Sequence, residues 1–114
     1  MEVLGPLQLP LTWRTKVDDD AGAATLELTG ELDRLTAPSL SHHLDQLLAA
    51  GRNPIVLDAR DVRFMDLGGY RLLVDIGAAC ALRGCWLIVR RPALAVRRLV
   101  DVIGIPDGVL ISSW

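Results

Sequence analysis

The stretch Ile55-Val56-Leu57-Asp58-Ala59-Arg60-Asp61-Val62-Arg63-Phe64-Met65-Asp66-Leu67-Gly68-Gly69-Tyr70 decides how the chain folds. Its short apolar opening, rich in β-branched residues, predicts a strand. The polar residues and glycine pair that follow predict a loop, and beyond them the apolar spacing turns helical. Asp66 and the backbone amides of Leu67, Gly68 and Gly69 then stand on the surface at a helix N-terminus. The first N–H groups of a helix lack internal acceptors and attract an anion or a partner's carboxylate.

On the N-terminal side of this stretch, Leu11, Trp13, Thr15 and Val17 alternate with Thr12, Arg14 and Lys16, and Ala24, Leu26 and Leu28 alternate with Thr25, Glu27 and Thr29. This period of two predicts two half-buried strands. Asp18-Asp19-Asp20-Ala21-Gly22 supplies the turn of an antiparallel hairpin. Gly30 to Leu35 reads as a connection into a helix with Thr36 as N-cap and Pro38 in its first turn. Leu40, Leu44, Leu47 and Leu48 form the apolar stripe of that helix, and Gly51 stops it.

On the C-terminal side, Leu72, Leu73, Ile76, Ala79 and Cys80 form a second helical stripe, ended by Gly84. Cys85 to Val89 reads as a buried strand, Pro92 as the opening of a third helix carrying Val96, Leu99, Val100 and Ile103, and Val109 to Ile111 as a last strand. The order β-β-α-β-α-β-α-β, with crossovers this short, predicts a mixed α/β sheet of four to five strands fronted by an antiparallel hairpin and packed with three to four helices. Residues 1–10 read as an N-terminal extension and 11–114 as a single domain. In such sheets partners meet the loops beyond the carboxyl ends of the strands. Asp33 and Asp66 share one surface if their strands are neighbours.

Composition narrows the function. The chain of 114 residues has room for one core, and its 51% hydrophobic content is ample for a globular fold. A formal net charge of -2 with no block of five like charges gives no field for nucleic acid. Eleven of the twelve basic residues are arginines scattered along the chain, a bias that fits a GC-rich genome. The start, Met1-Glu2-Val3-Leu4-Gly5-Pro6, has no basic n-region and fits neither a signal peptide nor a membrane span, so a cytoplasmic protein with no membrane insertion is expected. Cys80 and Cys85 have no histidine at metal-ligand spacing, and His42 and His43, being adjacent, point apart on a helix, so neither a metal nor a cofactor is expected. Both cysteines continue apolar patterns and read as core thiols rather than a redox pair.

The two loops, with their flanks, resemble the STAS domain, the fold of bacterial anti-sigma factor antagonists. The resemblance rests on Gly30-Glu31-Leu32-Asp33 with Thr36-Ala37, and on Ile55-Val56-Leu57-Asp58 leading through Val62, Phe64 and Met65 to Asp66. Gly69, Gly84, Val89 before Pro92, and Gly104-Ile105 extend it in order and spacing. It implies a binding module rather than an enzyme: a small regulator that docks on an anti-sigma factor, typically of the histidine-kinase-like ATPase type, and so frees a sigma factor. The partner-binding residues it points to are Asp33, Thr36, Asp66, Leu67, Gly68 and Gly69. A STAS subunit of a membrane transporter ATPase complex is the alternative. An enzyme using Asp33 and Asp66 as a carboxylate pair would lack a nucleophile, a metal cluster and a phosphate loop.

In the family pattern the loop reads Asp-Ser-Ser-Gly or Asp-Ser-Thr-Gly, and the hydroxyl before the glycine accepts phosphate. Here the segment is Asp66-Leu67-Gly68-Gly69, with Gly68 at the acceptor position and no hydroxyl in the loop. Phosphate would bring about -1.5 to -2 charges beside Asp66, enough to break an interface built on the unmodified surface. Without an acceptor that switch is missing. Thr36, Ser39 and Ser41 are the nearby hydroxyls to consider as substitutes, although Thr36 reads first as a cap. Gly68→Ser is expected to restore an acceptor at little cost in stability where φ is negative.

Asp66 reads both as a docking residue and as the cap of the second helix, and Asp33 both as a docking residue and as a loop stabiliser. Leu67 either packs into its own core or, covered by a partner, contributes roughly 1.5 to 3 kcal/mol. Many members of the family continue into a final helix where this chain stops at Trp114. The uncovered apolar surface expected from this favours a partner or a homodimer.

Overall fold

The computed structural model describes residues 10–113. The first nine residues of the expected extension and Trp114 lie outside that range. Five strands and three helices follow in the order β1 (Thr12–Val17), β2 (Ala24–Leu32), α1 (Ala37–Ala49), β3 (Ile55–Met65), α2 (Leu67–Leu82), β4 (Leu87–Arg90), α3 (Leu94–Ile103) and β5 (Val109–Ser112). The strands lie side by side in chain order, β1 antiparallel to β2 and every later neighbour parallel. This is the mixed sheet fronted by a hairpin that the hydrophobic pattern predicts.

The hairpin turn is held by Asp18, whose Oδ1 accepts from the amides of Asp20 and Ala21 at 3.0 Å each. One face of the sheet supplies the core. Leu26 and Leu28 of β2, Ile55 and Leu57 of β3 and Leu87 and Val89 of β4 pack with Leu40 and Leu44 of α1, Leu73 and Ile76 of α2 and Val96 of α3. The residues that alternate with them, Thr25, Glu27, Asp58 and Arg90 among them, stand on the other face, where a parallel register sets Glu27 beside Asp58 and Asp58 beside Arg90.

Two strands are longer than the sequence reading has them. Gly30-Glu31-Leu32 belongs to β2 rather than to a connection, and 58–65 belongs to β3 rather than to a loop. β2 keeps its alternation through Gly30 and Leu32, whereas in β3 the reason is a pair of register shifts against β2, between Glu27 and Thr29 and between Gly30 and Glu31. Each shift inserts a residue out of phase, so Val62 and Met65 reach the core three residues apart while Arg60, Asp61 and Arg63 face outward. Period two is broken, and the charged residues look like a loop in the sequence. Smaller corrections fall nearby. The fourth strand starts at Leu87 rather than Cys85, and Pro92 precedes α3, whose N-cap is Ala93. Among the described residues no helix is long and apolar enough to cross a membrane.

Candidate functional site

Because β2 and β3 are parallel neighbours, the β2–α1 and β3–α2 loops leave the sheet side by side. In the first, Asp33 is buried and its Oδ1 accepts from the amides of Leu35 and Thr36 at 2.9 Å each. Thr36 Oγ1 accepts from the Asp33 amide at 3.0 Å and donates to the Glu31 carbonyl at 2.8 Å. Each side chain thus satisfies backbone groups of the other's turn. Thr36 stands at the N-cap position of α1 as expected, but its hydroxyl caps no helix amide; it is spent inside the loop. Asp33 acts structurally as the loop stabiliser.

In the second loop Asp66 is the N-cap of α2, its Oδ1 accepting from the Gly69 amide at 3.0 Å. Its other oxygen accepts from the Arg34 amide at 3.5 Å, so one carboxylate ties the two loops together. The amide of Gly69 is therefore taken, and Gly69 is buried, whereas Leu67 is exposed. Of the two readings of Leu67, packing into its own core is set aside by its 67% exposure.

Gly68 is half-buried and packed against the first loop. A Cβ there would lie 2.6 Å from Arg34 Cα and 2.7 Å from Arg34 N. Backbone atoms cannot swing aside as a side-chain tip does, so the expectation that Gly68→Ser costs little is corrected. The residue is in α2 with ordinary helical backbone, yet the neighbouring main chain leaves no room for a side chain. A Cβ on Gly69 would meet the Leu32 carbonyl oxygen at 2.3 Å. The glycine pair lets the first turn of α2 rest directly on the β2–α1 connection.

Around this junction the surface is apolar. Leu35, Phe64 and Leu67 are all exposed, with the exposed Arg34 and Arg63 beside them. Leu35 and Phe64 were not among the site residues expected from the sequence; the usable signal was an apolar residue flanking each acidic turn. A groove of about 290 Å³ runs on from the junction between α1 and α2, lined by Arg34, Ser41, Gly68, Arg71 and Asp75 among others. No group of three or more His, Cys, Asp or Glu side chains that could hold a metal occurs among the described residues.

Two further polar features lie away from the loops. Asp58, 2% exposed, receives Arg91 Nη2 and, at 3.5 Å, Arg90 Nη2. Burial alone would raise its carboxyl, but the Arg91 hydrogen bond, the Arg60 amide and the two positive charges outweigh burial and hold it below its ordinary value. At the far end of α2 the Gly84 amide donates to Ala81 O at 3.2 Å and the Cys85 amide to Cys80 O at 2.8 Å. That is a Schellman stop, with the two cysteines in the positions that carry its apolar contact. Burial, and then the adjacent Cys85, push the Cys80 thiol up to about 12. Both cysteines are core residues.

A mostly parallel sheet with an antiparallel front strand, and two loops joined side by side at the carboxyl ends of β2 and β3, defines a small α/β domain. The chain belongs to the STAS domain family: the family model described as "Mlab, STAS domain" matches residues 15–112. Its fold is similar to that of a Thermotoga maritima protein described as a candidate anti-sigma factor antagonist, with a TM-score of 0.73 and 22% identity over 88% of this chain and 85% of that one. It is also similar to the anti-sigma factor antagonist SpoIIAA in its unphosphorylated form (TM-score 0.72, 17% identity, 88% of this chain and 87% of that one). An anti-sigma factor antagonist from Mycobacterium paratuberculosis has a TM-score of 0.71 and 23% identity over 91% and 90% of the two chains. No curated protein matches the chain in sequence.

Proposed function

We propose that this protein is an anti-sigma factor antagonist-like regulator, cytoplasmic and without a cofactor, that acts by binding alone. Its β2–α1 and β3–α2 loops dock on an anti-sigma factor of the histidine-kinase-like ATPase type and so free a sigma factor. The observation that carries this reading is the loop junction. Asp66 bridges both loops, Gly68 lies against the Arg34 main chain, and Leu35, Phe64 and Leu67 surround them on the surface. A rigid patch with exposed apolar residues and an arginine rim suits a protein partner, because little ordering cost is left to meet on binding.

The same junction supports binding without control by phosphate at position 68. No hydroxyl stands there, and the space one would need is filled by backbone. Thr36 is a poor substitute acceptor because its hydroxyl is engaged within the loop. Asp33, Thr36, Asp66, Leu67, Gly68 and Gly69 are then the docking residues, the polar ones by shaping the loops and Leu67 by contact. A site that no phosphate can release also suits a permanent subunit, so a STAS subunit of a transporter ATPase complex is the second reading.

The test is a calorimetric titration against recombinant anti-sigma kinases of the source organism, with wild type and Leu67→Asp. Since Leu67 is exposed, the variant should fold normally and lose at least about tenfold in affinity. Absence of binding to every such kinase, together with co-purification with a membrane ATPase, would overturn the first reading in favour of the second.

A further inference from the structure

The helix α2 is apolar on both sides. Its inner residues enter the core, yet its outer face carries Leu67, Val74 and Leu82, all exposed, with Ala78 between them. Leu82 is 90% exposed. A helix apolar all round ordinarily has both faces covered. The only charged side chains among the outward residues from 67 to 82 are Arg71 and Asp75, and neither has an ion-pair or hydrogen-bond partner among the described residues. On one helix the order Arg then Asp, four apart, is the weaker orientation for an internal pair.

The pattern is self-complementary. If a second α2 is laid antiparallel with the two-fold axis between residues 74 and 75, Leu67 falls opposite Leu82 and Arg71 opposite Ala78. Arg71 of each copy then lies about 4.5 Å along the axis from Asp75 of the other, at 1.5 Å rise per residue. Arg71 and Asp75 sit on the same flank of the stripe, and in an antiparallel helix pair like flanks adjoin. The small side chain of Ala78 leaves room for the Arg71 stem. A closed two-fold contact needs one patch that pairs with itself, and this face offers leucine to leucine at both ends and opposite charges in the middle.

We infer that the outer face of α2 is the contact surface of a homodimer, two copies packing antiparallel through Leu67, Arg71, Val74, Asp75, Ala78 and Leu82. One helix face buries an area at the low end of specific interfaces, so the dimer is weak and concentration-dependent. It covers Leu67 and the edge of Gly68, so it competes with partner docking. That consequence rests on the function proposed above; the dimer itself does not.

Sedimentation equilibrium on the whole chain over about 5 to 200 µM tests this. The expected mass rises from 12.4 kDa toward twice that value. Leu82→Glu should raise the dissociation constant at least about tenfold. Arg71→Asp and Asp75→Arg should each weaken the dimer, and the double exchange should restore it, an outcome that general loss of stability cannot produce. A wild-type monomer up to about 200 µM would overturn the inference, as would a dimer unmoved by Leu82→Glu. A monomer whose Leu82→Glu variant loses affinity for the anti-sigma kinase would assign the face to that partner instead. Kinase binding with no dimer refutes only this inference; a dimer with no kinase binding refutes only the functional reading.

Discussion

At the start of α2, Gly68 lies in helical backbone with the Arg34 main chain 2.6 Å from where its Cβ would be; just past the end of the same helix, Gly84 has open space around it and a φ of +67°. The two glycines answer different needs. At Gly68 any side chain meets backbone, while at Gly84 only the left-handed conformation matters, as the helix turns out of its Schellman stop. One end of α2 is closed by packing, the other is merely turned. The closed end carries the candidate docking site, and main chains approach more closely there than at the turned end.

The largest effect expected from this difference is at Gly69, where a Cβ would meet the Leu32 carbonyl at 2.3 Å. Gly69→Ala should lower the unfolding free energy by about 3 kcal/mol or more in urea titration. A loss below about 0.5 kcal/mol would mean that the junction is loose. Gly68→Ser should cost about 1–3 kcal/mol for the same reason, and should push apart the Arg34 amide and the Asp66 carboxylate, 3.5 Å away. A fully stable Gly68→Ser protein would erase the contrast between the two ends.

Acid sharpens the contrast because it acts elsewhere. The Asp58 carboxyl is held below its ordinary value of 3.8, so its stabilisation is present above that value and is lost as pH falls through the still lower value of the folded state. Asp58→Asn should therefore cost about 2 kcal/mol at pH 7, a figure reduced from that of a fully buried pair because its arginines are about a third exposed. The difference from wild type should shrink below about pH 4, as followed by urea unfolding across pH. The cost of Gly68→Ser, by contrast, comes from main-chain crowding rather than from this ion pair.

At the turned end, Gly84→Ala should cost about 1 kcal/mol and Gly84→Asn less, since asparagine tolerates the left-handed region. Smallest of all is the redox effect. Cys80 and Cys85 complete the apolar contact of this stop as buried thiols, and partner binding should stay within about threefold between reducing and oxidising buffers. Rapid labelling of both thiols in the folded protein would contradict that packing.

Element order, parallel pairing and the adjacency of Asp33 and Asp66 were legible in the sequence because apolar periodicity and short crossovers determine them. The extent of β3 was not. Its register shifts put Val62 and Met65 out of step, and no alternation survives for a reader of residues 58–65 to follow. The cap of α2 at Asp66 could be read from residue type and position, whereas the role of Thr36 could not, because its bonds run backward to Glu31 and Asp33 rather than into its own helix. The crowding at Gly68 was out of reach for a different reason. It depends on the approach of Arg34, 34 positions earlier in the chain, and glycine in a sequence looks the same whether it is kept for φ or for space.

The most direct test of docking without a phosphate switch is one titration done twice. The wild-type protein is titrated against the anti-sigma kinase that the proposed function assigns to it, before and after incubation of the two with ATP, with intact mass spectrometry on the same samples. The expected result is an unchanged mass and an unchanged affinity. One added phosphate on Thr36, Ser39 or Ser41 with a matching loss of affinity would contradict it and would place the switch on the β2–α1 side of the junction.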